Sequence, residues 1–104
     1  MDWKSKENKR LIQAILALKT DDETRRFLRD LMTKKEIVEF AKRLKAAEML
    51  TEKMPYSAIE KKTGLSSTTI ARVSKWLNDG MGGYQSVIAN LHHNSAKLGK
   101  GLHL

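Results

Sequence analysis

At 104 residues, 40% of them hydrophobic, the chain holds enough apolar material for the core of one small domain. Twenty Lys and Arg against twelve Asp and Glu leave a formal charge of +8, an excess that attracts polyanions and fits a nucleic-acid partner. The absence of cysteine excludes a disulfide framework, a thiolate nucleophile and a Cys-based zinc site. Ala, Leu, Lys, Glu and Arg dominate and only Pro55 interrupts them, a composition that favours helix. The expected fold is all-α.

The polar start, MDWKSKENKR, has no signal-like apolar run behind it. LIQAILAL at 11–18 is too short to span a bilayer, so a cytoplasmic protein without a membrane partner is expected. The stretch KENKRLIQAILALK reads as a first helix, apolar nearly all round between Leu11 and Leu18. Such a helix needs burial on every side. Either a second chain supplies the cover, as in an intertwined dimer, or the helix lies at the centre of a tightly packed monomer.

TDDETRRFLRDLM follows, with Asp21 or Asp22 as the expected cap and Phe27, Leu28 and Leu31 as an apolar stripe. Thr33 with Glu36 three residues on is a capping-box signature opening a long third helix to about Lys53. Its inner side is expected to carry Ile37, Phe40, Leu44, Ala47 and Leu50 or Thr51. Pro55 marks a boundary. A short helix over Ser57–Thr63 then ends at Gly64, Ser66 caps the next helix to about Asn78, and YQSVIANLHH reads as a last short helix. One domain over 1–95 and a loose tail over 96–104 are expected.

Two short helices joined by Gly-Leu-Ser outline a helix-turn-helix at about 57–78. Ile59, Leu65, Ile70 and Val73 form its small core. Thr68, Ala71, Arg72 and Lys75 fall at i, i+3, i+4 and i+7 on the opposite face. Small side chains at the helix start allow close approach to base edges, while Arg72 and Lys75 reach phosphate or guanine. Ser66, Ser67 and Thr69 complete the expected DNA-contacting end through hydroxyls and free N–H groups. Lys61, Lys62 and Lys42 are candidate phosphate contacts. The competing interpretation is a helical hairpin with an ordinary polar exterior.

Over Leu31 to about Gly83 the chain resembles the tryptophan repressor family, and more closely its YerC/YecD-type bacterial members. The resemblance rests on Leu-Met-Thr at 31–33, Arg43 in the long helix, and Thr-Ile-Ala-Arg at 69–72. It implies six helices, an intertwined homodimer, paired readers of double-stranded DNA and a transcriptional repressor. It also implies an effector pocket at Thr33, Arg43, Arg72, Val73 and Trp76. The family's pocket holds tryptophan between two arginines, matched by Arg43 and Arg72. Two departures argue against L-tryptophan here: Val73 stands where the repressor has glycine, and Trp76 where it has a small serine. Valine refills the hole that the ligand otherwise occupies, and the Trp76 indole takes further space. No cofactor is therefore expected, and Arg43 and Arg72 read equally as phosphate contacts or surface charges. An effector-dependent repressor with an altered pocket is the alternative.

Neither catalysis nor a metal site is expected. His92 and His93 are adjacent and point apart on a helix, and DGMGGY lacks the setting of a phosphate loop. A basic RNA- or protein-binding module is the remaining alternative. Its stacking aromatics would have to come from Trp3, Trp76, Tyr56, Tyr84, Phe27 and Phe40, which are scattered.

Overall fold

A computed structural model describes the backbone of residues 1–102 and the side chains of residues 1–94. It contains six helices: α1 (Lys6–Leu16), α2 (Asp21–Leu31), α3 (Lys34–Thr51), α4 (Tyr56–Thr63), α5 (Ser67–Asp79) and α6 (Gly83–Leu102). No strand occurs among the described residues. The chain falls into two compact units, Met1–Ile37 and Val38–Leu104. Among the described residues, every buried one belongs to the second unit.

In the first unit the helices are well begun and poorly covered. Ser5 caps α1 by accepting a hydrogen bond from Asn8 N at 3.2 Å. Thr20, not Asp21 or Asp22, caps α2: its backbone is extended and its hydroxyl accepts from Glu23 N at 3.1 Å. The three acids that follow already lie in the first helical turn, where negative charge meets the positive helix end. Asp21 and Asp22 reach one turn on, to Arg25 and Arg26. The expected capping box is present, with Thr33 N donating to Glu36 Oε1 at 3.0 Å and Glu36 N to Thr33 Oγ1 at 3.1 Å. Hydrogen bonding of the charged form by the Thr33 backbone, and then by its side chain, holds the Glu36 carboxyl below its usual range. Of the two covers expected for α1, a place at the centre of a tightly packed monomer is not met, since neither α1 nor α2 contains a buried residue.

The second unit owns the core. Ala46, Ala47 and Met49 of α3, Ile59 of α4, Leu65 of the turn, Ile70, Val73 and Leu77 of α5, and Ile88 of α6 form one buried cluster. Leu44, Leu50, Met54 and Tyr84 pack against it. Along α3 the inner side differs from the expected one: Ala46 and Met49 join Ala47, while Phe40 is 46% exposed. Its ring lies under the Arg43 guanidinium, 5.6 Å from the centroid, a contact that gives an exposed aromatic a partner on its own helix. The helix α3 stops at Thr51 and Lys53 takes a left-handed φ of 60°, three residues after which Tyr56 begins α4. The last helix, expected to be short, continues to Leu102. The loose tail expected over 96–104 falls on residues whose side chains lie outside the described residues, as does the backbone of 103 and 104.

Candidate nucleic-acid interface

The α4–α5 hairpin is built from local rules that the sequence states openly. Pro55 precedes the first turn of α4, and Gly64 closes the helix at φ 74°, a conformation costly to any residue with a Cβ. Thr63, itself buried, ties the corner: its hydroxyl donates to Ile59 O at 2.7 Å and accepts from Leu65 N at 3.2 Å. Ser66 then caps α5, accepting from Thr69 N at 3.2 Å and donating to Thr69 Oγ1 at 3.1 Å. Ile59, Ile70 and Val73 are fully buried between the two helices. That apolar plug fixes which side of α5 faces out.

Thr68, Ala71, Arg72 and Lys75 are all exposed on α5, and Lys61 and Lys62 are exposed on α4. Ser66 and Ser67 are exposed at the helix start, and Thr69 is half-buried and hydrogen-bonded to Ser66. Arg72 and Lys75 enter no ion pair among the described residues. The N–H groups of Ser67 and Thr68 precede Ile70 N, the first to donate along the helix, to Ser66 O at 3.0 Å. The hairpin therefore offers small hydroxyls and unpaired donors at the start of α5 and two cations, Arg72 and Lys75, along its middle. Such a set suits a polyanion with readable edges.

The five expected effector residues are placed differently from one another. Val73 is fully buried in the core and Arg72 stands on the exposed face. Thr33 has its hydroxyl engaged in the cap of α3. Arg43 is half-buried, with Nε 3.7 Å from Glu39 Oε1, and that Nε makes no hydrogen bond. Trp76, expected to occupy cavity space, instead stands 43% exposed and lines an open groove. The groove, of about 610 Å³, is completed by Leu44, Gly80, Met81, Gly83, Tyr84 and Val87. Burial raises the Tyr84 phenol above its ordinary value, partly offset by the nearby Arg43 charge.

Sequence reasoning missed this groove, because Leu44, Trp76 and Tyr84 belong to three helices and share no period. It also missed Gln85, whose side chain caps the end of α5 from the next helix. Among the described residues no three His, Asp or Glu side chains gather as metal ligands do. None of the described helices is long and apolar enough to cross a membrane.

Six helices with a glycine-cornered helix-turn-helix define a class, and comparison assigns it. The family model for the Trp repressor protein matches residues 6–92, and the chain belongs to that family of DNA-binding regulators. It is 42% identical over 85 residues to the uncharacterized protein YerC of Bacillus subtilis (strain 168), covering 82% of each chain. A TrpR-like protein from Eubacterium eligens ATCC 27750 superposes with a TM-score of 0.83 at 41% identity, over 86% of this chain and 93% of that one. A Staphylococcus aureus protein solved as a candidate Trp repressor gives a TM-score of 0.82 at 30% identity, over 88% and 95%. The family is one of regulators rather than of enzymes.

Proposed function

We propose that the chain is a sequence-specific DNA-binding transcriptional repressor of the cytoplasm. It acts as a homodimer and places α5 of each subunit in the major groove. The observation that carries this reading is the two-sidedness of α5: Ile70 and Val73 are fully buried while Thr68, Ala71, Arg72 and Lys75 are exposed. Packing thus fixes the helix, and its free face holds the residue types that read base edges.

Dimerisation is supported by α1, where Leu11, Ile12, Ile15 and Leu16 are each at least 40% exposed in the single chain. An apolar stripe of that kind marks an association surface. Operation without L-tryptophan is supported by the complete burial of Val73, whose side chain packs into the helix-turn-helix core. A second reading, regulation by a different effector, is favoured by the Trp76 groove and by the unpaired Nε of Arg43.

The test is to incubate the protein with sheared genomic DNA, with and without L-tryptophan, and to sequence what it retains at moderate salt. A few palindromic sites enriched equally in both samples are expected. Enrichment only with tryptophan would overturn the ligand-independent reading, and no enrichment in either would overturn DNA reading.

A further inference from the structure

Among the described residues, one side-chain hydrogen bond joins two different helices. Gln85 Nε2, in the first turn of α6, donates to the carbonyl oxygen of Leu77 at 2.7 Å, in the last turn of α5. The acceptor is one of the terminal carbonyls that a helix leaves without an internal partner. The last turn of α5 contains no Lys, Arg or His to satisfy it, and Asn78 turns its amide back to Ser74 O. Gln85 supplies the missing donor from outside.

The joint it spans is tightly made. Gly80 N donates to Trp76 O at 3.0 Å, and a Cβ on Gly80 would lie 2.2 Å from that same oxygen. Gly82 takes a φ of 80°. Leu77 and Ile88 are buried in the shared core of the two helices. Apolar packing alone is non-directional and tolerates small rotations of one helix on another. A hydrogen bond weakens steeply once its angle departs from linear. The N-terminal half of α5 is held by the plug with α4, so its C-terminal end is where the remaining freedom lies.

We propose that Gln85 is a positioning residue for the reading helix. It locks the end of α5 onto α6 and so fixes the angle at which Thr68, Ala71, Arg72 and Lys75 are presented. This rests on the reading of α5 as the DNA-contacting helix, and the test separates the two.

Two variants of the full chain remove or keep the donor. Gln85→Glu, of the same length, removes it and sets negative charge at the negative end of α5, whereas Gln85→Lys, one atom longer, restores a donor with favourable charge. For each, affinity is measured for an enriched genomic site and for an unrelated duplex of equal length. The ratio of the two is the readout, because the added charges alter both affinities together. Gln85→Glu should lower the ratio about threefold to tenfold, the scale of one lost hydrogen bond, and Gln85→Lys should keep it within about twofold. An unchanged ratio in Gln85→Glu, or an equal fall in both variants, would overturn the proposal.

A second readout needs no DNA. The chain lacks cysteine, so Ser67→Cys and Asn90→Cys admit spin labels on α5 and α6, both at exposed positions. Diluted with unlabelled protein, the parent and Gln85→Lys should give one narrow distance distribution and Gln85→Glu a broader or shifted one. Identical distributions would overturn the positioning role. A parent protein that shows no sequence preference while its distances respond to Gln85→Glu would instead overturn the DNA-reading assignment and leave the strut standing.

Discussion

The two units of the chain use their apolar residues in opposite ways. In Val38–Leu104 they converge on a core that four helices and a turn share. In Met1–Ile37 two helices of eleven residues each carry sound caps and bury nothing. Capping starts a helix, yet helices this short are marginal in water without packing. The contrast teaches that the α4–α5 hairpin is positioned by its own core, whereas the N-terminal helices hold their form with caps and no buried residue in the single chain.

The largest expected effect is on the core. Ile70→Ala removes a fully buried side chain and should cost about 2–5 kcal/mol in urea denaturation. Leu16→Ala, at a position 78% exposed in the single chain, is the counterpart. If no second copy covers α1, its cost should stay within about 0.5 kcal/mol. A larger, concentration-dependent cost is the outcome expected of the proposed dimer.

The contrast sharpens further with Ile12→Asp combined with Ile15→Asp. Sedimentation should then show a monomer whose second unit keeps its helical circular dichroism. A dimer persisting through both substitutions would remove α1 from the interface.

On the reading face the expected changes are about 1–3 kcal/mol in DNA affinity for a side chain bound to a base edge. Arg72→Ala and Lys75→Ala should show this as sequence-dependent loss. A residue that touches only phosphate should instead weaken all sequences alike and reduce the salt slope by about one.

The smallest effects lie in the cap of α3. Thr33→Ala should cost about 1 kcal/mol in thermal or chemical unfolding. Glu36→Gln tests the charge alone. The folded pKa of Glu36 is depressed by its bonds to Thr33, so its contribution is present above the ordinary carboxylate range and is lost as pH falls through the depressed value. Wild type and Glu36→Gln should therefore differ at neutral pH and converge in acid. A constant gap would assign the effect to shape rather than charge.

What the sequence made legible was local. Gly64, the Ser66 cap and the Thr33–Glu36 box depend on residues at most three positions apart. The helix-turn-helix core of Ile59, Leu65, Ile70 and Val73 follows from helical spacing across one corner. What it hid was set by packing between distant elements. Phe40 fits the inner period of α3, yet Ala46 and Met49 form the buried side. The cap of α2 is Thr20, one or two residues before the expected Asp21 or Asp22, because the adjacent acids suit the first turn as well as a cap. The groove beside Trp76 and the Gln85–Leu77 bond join helices whose relative placement no period encodes. The exposed face of α5 was thus legible before the groove and the Gln85–Leu77 bond beside it.

The most direct measurement is a hydroxyl-radical footprint of the protein on one of its enriched genomic sites. Two protected half-sites about one helical turn apart, roughly 34 Å centre to centre, are expected of a dimer presenting two α5 helices. A single protected patch, or protection that slides with no preferred register, would contradict the paired reading heads on which the proposed function stands.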